Sequence, residues 1–292
     1  MSTWSGMRRK FRERVEKGPI VVAAGVYDAF SAKLAAYAGC EALYMTGAGV
    51  SAGLIGMPDL GVTTQTEMVE QARRILEAVE LPLISDADTG YGGPLNVRRT
   101  VQLFEGAGVS AIHLEDQEIP KRCGHLEGKR VVPPREMAGR LKAALDARRD
   151  PNFLIIARTD ARAVNGLEDA LDRGRLYAET GADVIFIEAP ESLSEVEAIV
   201  KALPQKPLLL NRGGGGKTPA LSAQELDRLG YRIVIFPGDA QKAAGAAMLH
   251  VYRTLRDTGN TKGLSMLGFE ERFEILGLSR LRELEEEYLA GS

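Results

Sequence analysis

Acidic side chains close several short apolar runs of this 292-residue chain: Asp86 and Asp88 follow one run, and Glu115 and Glu188 end two later ones. If those runs are neighbouring strands, the carboxylates repel one another unless a cation neutralises them. The runs carry no obvious lysine partner and no His or Cys pair. Oxygen ligands alone favour Mg²⁺, with Mn²⁺ as an alternative. Asp86, Asp88 and Glu115 are therefore predicted metal ligands, although an Asp-x-Asp pair can also merely cap a loop.

Arg158 ends a further apolar run. Its guanidinium could bind a substrate carboxylate through two parallel hydrogen bonds. An internal ion pair with Glu188 is the competing interpretation, and both contacts can exist together.

Cys123 lies in a polar, glycine-containing segment, residues 120–129, beside Lys121, Arg122 and His125. Positive neighbours favour the thiolate and make a proton-transfer role plausible. The alternative is an exposed thiol without a role.

A glycine run at 213–216 precedes Lys217 and Thr218, but Asn211 stands where a phosphate-binding loop requires glycine. The run could still offer backbone amides to an anion or serve only as a flexible connector. Of the remaining histidines, His113 could orient the metal cluster, and His250 is given no role.

The elements that position these residues alternate between apolar runs and segments of helical spacing. Continuous apolar runs are typical of parallel strands buried on both faces. Eight such units indicate an α/β fold, the closed (β/α)₈ barrel, in which the strand ends converge on one mouth. The competing open sheet lacks a G-x-G-x-x-G after its first strand. The predicted strands are 20–24, 42–45, 82–86, 111–115, 153–158, 184–188, 207–211 and 232–236. The predicted helices are 67–78, 95–105, 135–148, 166–179, 194–202 and 223–229, with Thr66 and Ser222 among the capping residues.

The two ends of the chain flank this barrel, so residues 1–292 are predicted to form one domain. Residues 1–18 are basic and predict a solvated helix without a targeting role. Residues 269–292 predict a helical tail whose Leu281, Leu284 and Tyr288 share one face. That face needs an apolar surface to cover, on its own barrel or on a neighbour's.

Composition excludes several classes of protein. With 37 basic and 40 acidic residues, the net charge is −3, which argues against a nucleic-acid partner. No apolar run approaches the roughly 20 residues needed to span a bilayer, so no membrane role is expected. Only two cysteines are present, which fits a reducing cytoplasm.

Several motifs together resemble the isocitrate lyase and phosphoenolpyruvate mutase superfamily, over about residues 22–278. They are Gly-Val-Tyr-Asp-Ala at 25–29, Asp-Ala-Asp-Thr-Gly-Tyr-Gly at 86–92, Leu-Glu-Asp-Gln at 114–117, Lys-Arg-Cys-Gly-His at 121–125, Ile-Ala-Arg-Thr-Asp at 156–160 and Lys-Thr-Pro at 217–219. The resemblance implies a barrel whose last helix is exchanged between subunits, a homotetramer built as a dimer of dimers, Mg²⁺ at the mouth and a mobile loop.

The same resemblance assigns roles to individual positions. Asp86, Asp88 and Glu115 match the metal region, and Cys123 matches the acid on the loop. The segment that holds an α-keto-acid carboxylate is matched by Tyr44, Thr46, Gly47 and Ala48. Further substrate contacts are matched by Gly124, His125, Arg158, Glu188, Asn211 and Thr218.

The cysteine-containing loop is similar to that of the carbon–carbon lyases, most of all the dimethylmalate lyase, oxaloacetate hydrolase and petal death protein branch, with methylisocitrate lyase close behind. The phosphonopyruvate hydrolases and phosphonomutases lack that cysteine and form the alternative. Gly214, Lys242, Thr46 and Ala48 depart from the methylisocitrate lyase pattern, which leaves the substituents at C3 of the substrate open.

The expected reaction cleaves the C2–C3 bond of a 2-hydroxy, or hydrated 2-keto, di- or tricarboxylate chelated by the metal. Cys123 would protonate C3, while Arg158, Gly124 and His125 would stabilise the departing carboxylate. Tyr44 and a water on the metal are both candidates for the base. A Schiff-base aldolase needs a lysine where Glu188 stands. A non-catalytic binding protein would be expected to lose some metal and loop residues, all of which are present.

Overall fold

A closed barrel of eight parallel strands forms the centre of the molecule, as predicted; the computed structural model describes residues 3–124, 128–213 and 218–290. Neighbouring strands pair in chain order, and the eighth pairs with the first. Each predicted strand is present, and no strand end is displaced by more than two residues. The strands are β1 (Val21–Val26), β2 (Ala42–Met45), β3 (Leu83–Asp86), β4 (Ala111–Glu115), β5 (Leu154–Thr159), β6 (Val184–Ile187), β7 (Leu208–Asn211) and β8 (Ile233–Phe236).

Helices surround the barrel, and the six predicted ones are confirmed. Ser222 caps its helix as expected, but the cap of the helix that precedes β3 is Thr64 rather than Thr66, because Thr64 and Glu67 exchange hydrogen bonds in a capping box. The helices are α1 (Thr3–Lys17), α2 (Ala29–Tyr37), α3 (Gly47–Val50), α4 (Gln65–Ala78), α5 (Pro94–Gly106), α6 (Pro134–Ala147), α7 (Ala161–Asn165), α8 (Leu167–Thr180), α9 (Leu193–Ala202), α10 (Ala223–Leu229), α11 (Asp239–Thr258), α12 (Phe269–Ile275) and α13 (Leu278–Ala290).

Helix α1 closes the amino-terminal end of the barrel, so the prediction of a solvated first helix is wrong. Phe11 and Val15 are buried in the cluster of side chains that fills the barrel interior. Arg8 is also buried and donates through Nε to the Val109 carbonyl at 2.8 Å. The basic residues that make this stretch look solvated in sequence thus accompany an apolar face that plugs the barrel.

We expect Phe11→Ala to lower the free energy of unfolding by about 3–5 kcal/mol, because it removes a buried ring and leaves a cavity. Urea unfolding followed by circular dichroism measures this change. Leu95→Ala is the matched control, since Leu95 is 80% exposed. Equal unfolding midpoints for the two variants would contradict the packing of α1 into the end of the barrel.

The C-terminal arm, residues 239–290, behaves differently from the other helices. None of the residues of α11 and α13 is buried, and Ile275 is the buried residue of α12. The arm exposes large apolar side chains, among them Leu249, Tyr252, Phe269 and Leu281. The predicted helical tail is confirmed. In the described part of the chain, no helix combines the length and apolar character needed to cross a membrane.

Candidate active site

A cavity of about 190 Å³ opens at the carboxyl ends of the strands and collects most of the predicted site residues. Those that line it are Tyr44, Thr46, Ala48, Asp86, Cys123, Gly124, Arg158, Glu188 and Asn211. A larger cavity, about 480 Å³, lies at the opposite end against α1 and is lined mainly by apolar side chains and aliphatic stems. The mouth cavity is therefore the candidate active site.

The turn after β2 shapes one wall of this cavity. The Thr46 side chain accepts a hydrogen bond from the Gly49 amide at 3.3 Å and so caps α3. The Gly47 amide donates to Asp86 Oδ2, also at 3.3 Å, and a Cβ at this glycine would lie 2.7 Å from that oxygen. Gly47 is thus required by a close approach of the backbone to Asp86.

Asp86 is the predicted metal ligand that faces the cavity. Its Oδ1 accepts a hydrogen bond from the Asp88 amide at 2.9 Å. Burial opposes ionisation, but the neighbouring His113 ring and the positive charges of Lys121 and Arg158 outweigh burial and lower the pKa of Asp86. Asp86 is therefore an ionised carboxylate on the cavity wall.

Asp88 and Glu115 lie outside the cavity lining, and Asp88 pairs with a lysine that comes from the segment after β4 rather than from a strand. Lys121 Nζ is 2.7 Å from Asp88 Oδ1 and 2.6 Å from Asp59 Oδ1. Burial and the charges of Asp86 and Asp59 nevertheless raise the pKa of Asp88 to about 7. Burial also raises the pKa of Glu115 well above its usual value, and its Oε1 has no hydrogen-bond partner among the residues that the structure describes. Both carboxyls are thus short of positive charge.

The excess of negative charge around this site makes it suitable for a divalent cation. Within residues 3–124, 128–213 and 218–290, no three His, Cys, Asp or Glu side chains form a ready-made cage for a metal. Among the described residues, carboxylates nevertheless outnumber cations on the cavity wall and in the chain of ion pairs that extends from it. The carboxylates are Asp59, Asp86, Asp88, Glu115, Asp160 and Glu188, and the cations are Lys121, Lys129, Arg158 and Lys242. Mg²⁺ keeps several waters and needs one or two carboxylates, so these residues fit it.

Arg158 is held mainly by a residue not predicted as a partner. Its Nε and Nη2 donate to the two carboxylate oxygens of Asp160 at 2.9 and 3.0 Å, whereas Glu115 and Glu188 lie at 3.5 and 3.8 Å. The predicted ion pair with Glu188 is thus long, and one side of the guanidinium is already used. A substrate carboxylate would meet the donors left on Nη1 and Nη2.

Tyr44 and His113 form a buried pair beside Asp86. The Tyr44 hydroxyl lies 2.7 Å from His113 Nε2, which is 3.4 Å from Asp86 Oδ1. Burial lowers the pKa of His113 to about 4 and raises that of Tyr44 well above its usual value. His113 is therefore neutral, and Tyr44 is protonated and suited to donating a hydrogen bond rather than accepting a proton.

Cys123 is half-buried on the cavity wall, and its amide donates to the Asp59 carbonyl at 3.2 Å. The Gln117 side chain holds Arg122 through both backbone groups, at 2.8 and 3.0 Å. Lys121, next to it in the segment, contacts the Asp59 and Asp88 carboxylates and so neutralises negative charge at the mouth. His125 lies outside the described residues.

Strand β7 supplies a polar corner. Asn211 Nδ2 donates to Glu188 Oε1 at 3.3 Å, and Asn211 Oδ1 accepts from the Gly213 amide at 3.0 Å. Thr218 is half-buried but does not line the cavity. Residues 214–217, with the predicted anion-binding amides and Gly214, lie outside the described residues. Lys242 does line the cavity.

Sequence reasoning gave no role to Asp59, Lys129, Asp160 or Gln241, although Lys129 lies in the segment 120–129 and Asp160 in the motif 156–160. The position of Asp160 in the sequence could have pointed to the site, because Asp160 directly follows β5, the strand that contains Arg158. The positions of Asp59 and Gln241 could not, since they stand in a loop and on α11 and reach the mouth through tertiary contacts.

Comparisons with known proteins agree with this geometry. The family model described as phosphoenolpyruvate phosphomutase matches residues 11–256. The chain is 45% identical to 2,3-dimethylmalate lyase of Eubacterium barkeri over 97% of its own length and 98% of the relative's. It is 46% identical to 2-methylisocitrate lyase of Aeropyrum pernix, over 87% and 81% of the two lengths.

Two solved structures are also similar. An oxaloacetate acetylhydrolase in complex with 3,3-difluorooxalacetate has a TM-score of 0.93 and 39% identity, covering 98% of this chain and 97% of the other. A phosphonopyruvate hydrolase in complex with oxalate and Mg²⁺ has a TM-score of 0.88 and 32% identity, covering 99% and 100%.

Proposed function

This chain belongs to the isocitrate lyase and phosphoenolpyruvate mutase superfamily, and from that membership we propose that it is a Mg²⁺-dependent carbon–carbon lyase of oxo acids. Its substrate is a 2-hydroxy, or hydrated 2-keto, di- or tricarboxylate such as 2,3-dimethylmalate, 2-methylisocitrate or oxaloacetate. The observation that carries the proposal is the convergence of the Asp86 carboxylate, the Arg158 guanidinium and the Cys123 thiol on one cavity.

Charge supports an anionic substrate held with a cation. The cavity wall is rich in carboxylates, so a dicarboxylate would be repelled unless positive charge entered with it. We assign Asp86, Asp88 and Glu115 to Mg²⁺, with Mn²⁺ able to replace it and water completing its coordination. When bound, the ion would lower the pKa of the C2 hydroxyl of the substrate.

The protein's own groups divide the remaining work. Arg158 offers its Nη1 and Nη2 donors to a carboxylate, and Asn211 and Glu188 shape the wall beside it. Tyr44 donates a hydrogen bond to an oxygen at the reacting end, near the turn formed by Thr46, Gly47 and Ala48. Positioned donors of this kind stabilise charge that develops as a bond breaks.

Cys123 supplies the proton that ends the reaction. As the C2–C3 bond breaks, the C2 hydroxyl gives its proton to a water in the site, the electron pair of the bond stays with C3, and the thiol proton moves to that carbon. The thiolate then regains a proton from solvent. The products are an α-keto acid, or oxalate from oxaloacetate, and a carboxylate. Gly124 and His125, which the family resemblance assigns to substrate contacts, would stabilise the leaving carboxylate in this scheme.

The test is a panel of 2,3-dimethylmalate, 2-methylisocitrate, 2-methylmalate, oxaloacetate and phosphonopyruvate, each incubated with purified protein and Mg²⁺. Release of pyruvate or oxalate from a 2-hydroxy or 2-keto acid is the expected result. Turnover of phosphonopyruvate alone would instead favour the alternative, a phosphonopyruvate hydrolase or phosphonomutase, which one similar structure represents.

We also propose a homotetramer, a dimer of dimers, in which the C-terminal arm covers a second copy. The helix that follows β8 buries none of its residues, and Val22 on β1 is 43% exposed although it belongs to the barrel. An arm of a neighbouring subunit would cover such a gap.

The thiols of Cys40 and Cys123 are not joined in a disulfide, and we propose a cytoplasmic location.

Leu249→Asp is expected to dissociate the assembly, because Leu249 is 53% exposed on α11 and a charge there opposes burial in an interface. Light scattering after size-exclusion chromatography should show the mass falling toward that of the 31.6-kDa chain. Leu95→Asp, at another exposed leucine, should leave the mass unchanged. A Leu249→Asp protein with the parental mass would contradict the role of the arm.

A further inference from the structure

Asp160 is a fully buried carboxylate that joins two positive side chains at the mouth. It accepts two hydrogen bonds from Arg158, and its Oδ1 lies 3.2 Å from Lys129 Nζ. Burial opposes its ionisation, but Arg158 and Lys129 lower its pKa. Neither Asp160 nor Lys129 lines the cavity, so any effect they have on the reaction passes through other residues.

A second buried acid fixes Asp160 from behind. Asp116 Oδ1 accepts from the Asp160 amide at 3.0 Å. Its Oδ2 accepts from Thr159, Tyr177 and Arg173 at 2.7, 2.8 and 3.1 Å. Asp160 is thus attached to a hydrogen-bonded network in the barrel wall and provides a fixed point for its two partners.

Lys129 connects this fixed point to the segment that carries the thiol. Its ammonium donates to the Gly124 carbonyl as well as to Asp160. Gly124 lies directly against Arg158: a Cβ there would be 2.5 Å from Arg158 Nη2 and 3.1 Å from Glu188 Cδ. The backbone next to Cys123 and the guanidinium are therefore held side by side through one carboxylate.

We infer that Lys129 and Asp160 are positioning residues for the reaction. Asp160 orients the Arg158 guanidinium, and Lys129 ties the Gly124 carbonyl to the same carboxylate, so that the Cys123 thiol and the carboxylate-binding guanidinium keep one relative placement. This inference rests on the proposed function for its catalytic consequence, but the placement itself does not depend on the substrate.

Removal of the Lys129 charge should therefore affect chemistry more than substrate binding. Arg158 would still be held by Asp160, whereas the Gly124 carbonyl, next to Cys123, would lose its hydrogen bond from Lys129. A misplacement of about 1 Å can cost roughly 10²-fold in rate. We expect Lys129→Met to lower kcat by about that factor while KM changes less than about threefold.

The experiment compares Lys129→Met and Lys129→Arg with Lys201→Met, which removes an exposed lysine on α9. Arginine retains charge and can donate to both acceptors, so Lys129→Arg should recover at least about tenfold of the lost kcat. Lys201→Met should match the parent. The inference would be overturned if Lys129→Met kept the parental kcat. It would also be overturned if Lys129→Met and Lys129→Arg were equally slow and both had lost thermal stability.

A second measurement keeps the inference separate from the proposed function and needs no substrate. In a Cys40→Ser background, iodoacetamide should alkylate Cys123 about tenfold faster when Lys129 is Met, because the adjacent Gly124 is released. Asp160→Asn should produce the same direction of change. An unchanged alkylation rate in both folded variants would refute the placement, whereas a protein inactive on every acid of the panel would refute the proposed function alone.

Discussion

Cys123→Ser is expected to slow cleavage of the 2-hydroxy acid by about 10²- to 10⁴-fold, the range typical of a lost general acid. Serine keeps the size and the backbone contact to Asp59, but its hydroxyl is a far weaker acid than a thiol. The loss should fall on kcat, because the proton is needed only after the C2–C3 bond starts to break. Initial rates of keto-acid release at saturating substrate measure it.

The chain offers its own control for this substitution, because Cys40 is the other cysteine and does not line the cavity. Cys40→Ser should retain the parental kcat. Full turnover by Cys123→Ser would remove the acid role. If phosphonopyruvate were turned over equally by the parent and by Cys123→Ser, the hydrolase or phosphonomutase interpretation would be favoured.

Removal of divalent metal is expected to abolish activity, and Mg²⁺ or Mn²⁺ should restore it. The carboxylate-rich wall would otherwise repel a dicarboxylate, and the ion would supply the polarisation of the C2 hydroxyl. Asp86→Asn, which removes the carboxylate facing the cavity, should lower kcat/KM by more than about 10²-fold and weaken Mn²⁺ binding. Electron paramagnetic resonance titration with Mn²⁺ measures the binding directly.

Asp257→Asn, at an acid 57% exposed on α11, is the matched control and should bind Mn²⁺ like the parent. Activity that persists after metal analysis shows the protein to be free of divalent ions would contradict the role of the metal. If Asp86→Asn bound Mn²⁺ with the affinity of the parent protein, Asp86 would not be a ligand of the ion.

The barrel could be predicted from sequence because its strands are buried on both faces. Residues 154–157 and 184–187 are continuous apolar runs, and such runs separated by helical segments leave few alternatives to a parallel sheet. The closure of that sheet and the strand ends followed from the same pattern. Helix α1 could not be placed, because its basic residues mask Phe11 and Val15, which pack inside the barrel.

The site was predicted where polar residues end strands, as with Asp86, Glu115 and Arg158. The contacts made by those residues were not predictable. Lys121 and Lys129 look like solvated loop lysines in sequence, yet both are buried and paired with acids on other elements. Pairing between distant segments leaves no periodicity in a sequence, so only the structure shows which acid holds which base.

The most direct test of the proposed lyase is cleavage of 2,3-dimethylmalate in D₂O, followed by nuclear magnetic resonance. We expect pyruvate and propionate in equal amounts, with one deuterium at C2 of propionate, the carbon that Cys123 would protonate. Mg²⁺ should be required, and Cys123→Ser should produce neither compound at a comparable rate. Intact 2,3-dimethylmalate, 2-methylisocitrate and oxaloacetate beside consumed phosphonopyruvate would contradict the account.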